Sequence, residues 1–144
     1  MQLHREPRTA LNTVTGYGED YIEVNDTRYH HPIYFKPHGE ISEWSVNHFT
    51  EITLEHIETA AGLVKASTSA LDFLNDTPQV NYIDAPEVII IGTGKRQAFI
   101  SPSILAPLMH ARIGIETMDS KAAARTYNVL MSEGRKVAIA LLID

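Results

Sequence analysis

The chain contains no cysteine. That absence removes thiolate nucleophiles, disulfides and thiolate zinc sites, and it leaves the redox compartment undecided. Long apolar runs are also missing. The longest, Val88–Ile91 and Val137–Ile143, fall far short of the roughly 20 residues a membrane-spanning helix needs, so no membrane insertion is expected. The opening Met1-Gln2-Leu3-His4-Arg5-Glu6-Pro7-Arg8 lacks the apolar core of a secretory signal, and the expected location is the cytoplasm. Basic residues are outnumbered, 12 Lys and Arg against 18 Asp and Glu, for a net charge of -6. That balance excludes broad electrostatic binding of nucleic acid, although a local basic stripe survives on an acidic protein. Known metal and hydrolase spacings are absent as well. Seven histidines are scattered without an H-E-x-x-H pattern, and the adjacent His30 and His31 would point to opposite faces of a strand. No G-x-S-x-G occurs, so no hydrolase triad can be selected. Neither a metal nor a cofactor is expected.

What is present is ordinary for a globular domain. With 144 residues, 44% hydrophobic and 21% charged, the chain is long enough for one domain with a real core. Residues 1–12 show little periodicity and read as a loose tail. Tyr21–Val24 and Tyr29–Phe35 are rich in aromatic and β-branched residues, with Asn25-Asp26 as the turn between them. Pro32 puts its strand at an edge or at a position needing no ladder donor. Glu43–Val46, with the single tryptophan, suits a further short strand. Thr53 caps a helix carrying Leu54, Ile57, Ala61 and Val64 on one face, weakened near its end by Gly62. Residues 65–85 read as an insertion or long connection, in which Ala70–Leu74 suits a helical turn ended by Asn75-Asp76-Thr77-Pro78.

The pattern sharpens after Pro86. Val88–Ile91 is a continuous apolar run, as in a strand covered on both faces, and Gly92-Thr93-Gly94 ends it. Ser101-Pro102 opens a helix with Ile104, Leu105, Leu108 and Met109 facing the core and Pro107 inside it. Ile113–Met118 is a strand. The helix after it has an N-cap at Asp119 or Ser120 and a left-handed stop at Gly134. Ala123, Tyr127 and Leu130 fall on its buried face, and Lys121, Arg125, Asn128, Ser132 and Arg135 on the opposite one. Val137–Ile143 is the last buried strand. This β-α-β-α-β alternation predicts an α/β layered sheet, with the β-rich N-terminal part packed onto it.

The run from Met118-Asp119 through Arg125-Thr126-Tyr127-Asn128 and Leu130 to Glu133-Gly134-Arg135, with the strand-ending Gly92-Thr93-Gly94, resembles a widespread family of small uncharacterised proteins. That family includes the third assembly factor of the mitochondrial NADH dehydrogenase (complex I) alpha subcomplex. The likeness is close over residues 86–143 and looser from Thr13 to Trp44. Ser120 stands where the family usually has threonine and Ala124 where it often has cysteine, which removes any thiol role there. The resemblance implies a three-layer fold, with a central mixed sheet, flanking helices and an additional β layer. It also implies a role in assembly or protein contact, and it brings no enzymatic activity with it. The positions matching the motif are Gly92, Thr93, Gly94, Asp119, Arg125, Thr126, Asn128, Glu133 and Arg135.

Two functional readings follow. In the first, the chain is a non-enzymatic interaction module with another protein as its partner, presenting the polar helix face and the Gly92–Gly94 loop. In the second it binds a small molecule or anion, as a binding protein or as an enzyme. Thr93, Gly94 and Lys95 then supply donors, Arg125 and Arg135 charge, Asn128 hydrogen bonds, and Asp119 or Glu133 an acid/base group. The loop lacks the third glycine of a dinucleotide fingerprint and the G-K-[ST] of a P-loop, so it also reads as a plain strand exit. A solvated helix face explains the stripe equally simply, as does pairing of Arg125 or Arg135 with Asp119 or Glu133. Homo-oligomerisation through an exposed edge of the N-terminal strands stays open. If Arg125 and Arg135 serve recognition, replacing both by alanine leaves the melting temperature nearly unchanged. A large fall in either single variant assigns that arginine to structure.

Overall fold

The computed structural model describes residues 10–66 and 81–144. A five-stranded mixed sheet forms the centre, in the order β5-β4-β10-β8-β9. It comprises β4 (Ile33–Phe35), β5 (Ser42–Glu43), β8 (Val88–Gly92), β9 (Gly114–Met118) and β10 (Val137–Leu141). Strands β8, β9 and β10 run parallel, with Val88 opposite both Val137 and Gly114, while β4 is antiparallel to β10. A separate three-stranded sheet is made by β1 (Val14–Tyr17), β2 (Ile22–Val24) and β3 (Thr27–Tyr29). The short β6 (Val64–Lys65) and β7 (Tyr82–Ile83) pair with each other at the base of the connection between 65 and 85. The helices are α1 (Leu54–Ala61), α2 (Pro102–His110) and α3 (Ser120–Ser132).

The layers follow from the alternation of side chains along β8 and β10, which are buried throughout. Ile89, Ile91, Ala138, Ala140 and Leu142 face α1 and α2. Val88, Ile90, Val137, Ile139 and Leu141 face α3 and the small sheet, where Val14, Ile22 and Val24 complete the core. The chain steps from β8 to β9 in one direction, then returns past β8 to β10. Right-handed crossovers therefore put α2 and α3 on opposite faces. The expected α/β class, with helices on the central sheet and an additional N-terminal β layer, is the observed one.

Local chemistry explains most element ends. Asn25 and Asp26 both take positive φ, 52° and 67°, the conformation of a two-residue hairpin turn. Thr53 and His56 form a reciprocal capping box on α1. Gly62, read as a weakness, is the left-handed C-cap of that helix at φ 63°. In α3, Asp119 is the N-cap, its carboxylate accepting from Ala122 N at 2.9 Å, and Gly134 takes φ 77°.

Several expectations need correction. Tyr29–Phe35 is not one strand: β3 closes the small sheet, the chain bends at His31, and β4 joins the main sheet. Of the two readings of Pro32 the edge fails, because β4 lies between β5 and β10, and the position needing no ladder donor holds, because β4 starts at Ile33. Pro32 precedes the ladder, and its carbonyl accepts from Trp44 N at 2.8 Å. The strand expected over Glu43–Val46 is only Ser42–Glu43. Trp44 and Val46 leave it to fill the α1 side of the core, and the Trp44 indole donates to His56 O at 3.2 Å. Met109 is 62% exposed rather than core-facing, since Pro107 and the nine-residue length of α2 leave only Leu108 fully buried. Ala70–Leu74 lies outside the described residues.

Asn12 falls within the stretch read as a loose tail, yet it is 6% exposed. Its amide donates to Lys36 O and Gly39 O, each at 2.8 Å, and its Oδ1 accepts from Asn25 Nδ2 at 2.8 Å. Its carbonyl accepts from the Tyr127 hydroxyl at 2.6 Å. Tyr127, from the middle of α3, is fully buried edge-on against Phe35. Burial pushes its phenol well above the ordinary 10.0. A raised folded-state pKa stabilises fully below the unfolded value and loses that contribution as pH climbs past it, so stability should fall above about pH 10. Tyr127→Phe should cost about 1–3 kcal/mol by orphaning the Asn12 carbonyl. Chemical denaturation from pH 8 to 11 should also show a shallower alkaline slope in the variant. An unchanged slope would assign the alkaline loss elsewhere.

Candidate functional site

The residues nominated from the sequence lie in three places. Thr93, Gly94, Lys95 and Asp119 come together at the C-terminal ends of β8 and β9. Arg125 and Asn128 lie against β1. Glu133 and Arg135 sit past the far end of α3.

The first group forms a clasp around Ser120, a residue read from the sequence only as an alternative N-cap. The Ser120 hydroxyl is buried, accepts from Gly94 N at 2.9 Å and donates to Leu142 O, while Ser120 N donates to Gly94 O at 2.8 Å. Helix α3 thus starts directly on the end of β8. A Cβ at Gly92 would stand 2.9 Å from the Ser120 Cα and 2.7 Å from Leu141 Cδ2, so glycine is required there by close approach. Thr93 is also committed: its N donates to Met118 O at 2.8 Å, and its hydroxyl donates to Arg96 O at 2.7 Å and accepts from Ala98 N at 3.1 Å. Lys95 N donates to the Asp144 carboxylate at 2.9 Å. A cleft of about 360 Å³ lies beside the loop, lined among others by Asn47, His48, Arg96 and Asp144. It lies beyond the C-terminal end of β8, beside the residues that follow β10, and ligands of open α/β sheets usually bind at the carboxyl ends of the strands.

The polar face of α3 is largely the seat of the N-terminal hairpin. Asn128 clamps β1 as a backbone would, its Oδ1 accepting from Val14 N at 2.9 Å and its Nδ2 donating to Val14 O at 2.8 Å. Arg125 donates to the Tyr17 hydroxyl at 3.0 Å. That bond, with a smaller contribution from Asp119, raises an already high pKa and keeps the guanidinium charged. Lys121 lies 3.7 Å from Glu19. Arg135 is not on the helix face, because Gly134 turns the chain; it pairs with Glu87 at 3.1 Å. Of the alternatives for the arginines, pairing with Asp119 or Glu133 is not the one formed; their partners are Tyr17 and Glu87. Sequence reasoning missed Asn12, Tyr17 and Ser120. The only available signal was a polar residue at a helix start or strand entry, which solvation explains equally well.

Residues 14–142 match the family model described as protein of unknown function (DUF498/DUF598). The chain belongs to this family. Among DUF498/DUF598 relatives, the NADH dehydrogenase [ubiquinone] 1 alpha subcomplex assembly factor 3 of Bos taurus is 26% identical over 97% of this chain. The chain spans 65% of that protein's length. The crystal structure of a Bordetella parapertussis protein is 45% identical and superposes with a TM-score of 0.79, covering 96% of this chain and 100% of that one. The solution structure of a Bordetella pertussis protein, described as a Mth938-like domain, is 47% identical with a TM-score of 0.74, over 100% and 93% of the two chains. The family resemblance carried by the motif run is thus shown. No helix among the described residues is long and apolar enough to cross a membrane.

The clasp and the clamp make separable predictions. Ser120→Ala leaves Gly94 N and Leu142 O without their buried partner, and Asn128→Ala frees Val14 at both its backbone groups. Each should cost about 1–3 kcal/mol in chemical denaturation. Hydrogen exchange should tell them apart, accelerating at Gly94 in the first variant and at Val14 in the second. Equal, global acceleration in both would argue against two independent ties.

Proposed function

We propose that the chain is a non-enzymatic interaction module working in the assembly of a protein complex, with the β8–α2 connection as its contact surface. The observation that carries this reading is Phe99. It is 84% exposed, on a loop whose first backbone amides, those of Thr93, Gly94 and Lys95, donate to Met118, Ser120 and Asp144. An aromatic side chain displayed on a loop tied at its base, with Lys95 and Arg96 nearby in sequence, has the character of an interface anchor. The kinship with a protein named as an assembly factor supports the same reading. The groups nominated for ligand capture favour it too: Thr93, Gly94, Asp119, Arg125, Asn128 and Arg135 already have internal partners.

Placing a photo-crosslinking phenylalanine at position 99 in the native host should yield a discrete protein adduct. Phe99→Ser should lose that partner from affinity capture while leaving stability within about 0.5 kcal/mol of the parent, as for an ordinary surface change. Identical capture by the parent and Phe99→Ser sinks this surface. In that case the small-molecule reading of the neighbouring cleft is the one to pursue, by thermal-shift screening.

A further inference from the structure

At the opposite end of the central sheet, where the parallel strands β8 and β10 begin, a cup of about 300 Å³ opens to the surface. Its floor is apolar, with Met131 from the last turn of α3, Val137 from β10 and Pro86 from the approach to β8. Its rim carries the cations of Lys36, Arg135 and Lys136, with the His38 ring beside them, against one lining carboxylate, Asp84. Two of these cations are engaged elsewhere. Arg135 pairs with Glu87, and the Lys36 ammonium sits so near the C-cap of α1 that a Cβ on Gly62 would be 2.5 Å from it. His38 and Lys136 are exposed and form no ion pair among the described residues. The negative end of α3 is muted here, because Val129 O, Met131 O and Leu130 O accept from Glu133, Gly134 and Arg135 N–H groups. On a chain of net charge -6, this is a local positive rim around an apolar floor.

We infer that the cup is a binding site for an aliphatic carboxylate. The hydrocarbon chain lies on Met131, Val137 and Pro86, and the carboxylate meets Lys136 and His38. The volume is at the low end of ordinary ligand sites, about 300–1,000 Å³, which suits a chain of no more than medium length. Apolar lining with a few convergent polar groups is the usual composition of such a site. The same chemistry is offered by a free medium-chain fatty acid and by a leucine-like residue at a peptide C-terminus. The site stands apart from the Phe99 surface, and its failure would leave the interaction reading untouched.

The test follows the Met131 methyl by NMR in the full-length protein, with ¹³C-methyl-methionine labelling. Sodium octanoate represents the free acid and N-acetyl-leucine the peptide terminus; 1-octanol and acetate each lack one half of the chemistry. A saturable shift of the Met131 methyl by either carboxylate, with the exposed Met109 methyl still, is the expected result, and the tighter ligand names the source. The alcohol and acetate should bind at least tenfold more weakly. Lys136→Glu should weaken the carboxylate at least tenfold, and Lys136→Gln less, with melting temperatures unchanged. The inference is overturned if neither carboxylate moves Met131 at millimolar concentration. Octanol matching octanoate, or Lys136→Glu binding as the parent does, overturns it equally.

Discussion

The hydrogen bond from the Tyr127 hydroxyl to the Asn12 carbonyl connects the two halves of this molecule. Its importance lies in where the two residues stand. Tyr127 comes from the middle of α3 and fills the core against Phe35. Asn12 is also held by the carbonyls of Lys36 and Gly39 and by the side chain of Asn25. One buried node thus ties the start of β1, the hairpin turn, the exit of β4 and the central helix. The Tyr127–Asn12 bond is buried and those of the Asn12 side chain are part-buried, and a buried polar group left unpaired costs more than its hydrogen bond gains. The node therefore selects one docking of the hairpin on the helix, and Asn128 repeats that selection on Val14.

With the N-terminal layer fixed in this way, the ends of the sheet have different characters. At the C-terminal ends of the strands, Ser120 draws the β8 loop, the start of α3 and the residues after β10 into one closed hydrogen-bonded unit. The backbone donors of that loop turn inward, while the side chains of Lys95, Arg96, Gln97 and Phe99 are exposed. At the opposite end, the turn at Gly134 brings Arg135 and Lys136 to an apolar hollow. The same sheet thus displays Phe99 among polar side chains at one end and a recess edged by basic side chains at the other.

Much of the framework is legible in the residue order. The unbroken β-branched run at Val88–Ile91 and the apolar Val137–Leu141 require burial on both faces, and parallel central strands are where that occurs. The caps at Thr53, Asp119 and Gly134 have a local mechanism and stand where the sequence suggests. Harder cases all involve a choice between partners distant in the chain. His31 and Pro32 divide an apparently continuous strand, because the second part pairs better with β10 than the first could. Met109 fits a core-facing spacing, but α2 rests on the sheet margin and leaves it exposed. Arg125, Asn128 and Lys121 look like a solvated stripe until a hairpin more than 90 residues earlier in the chain supplies their partners.

Composition and short-range pattern alone determined the α/β class, the element types and most of their ends, because propensity, capping and burial periodicity act over a few residues. The tertiary structure decided what each polar side chain is for. A hydroxyl at a helix start, an amide on a helix face or an arginine past a glycine is chemically noncommittal. Its role depends on which backbone groups the fold strips of water beside it, and long-range packing determines those contacts.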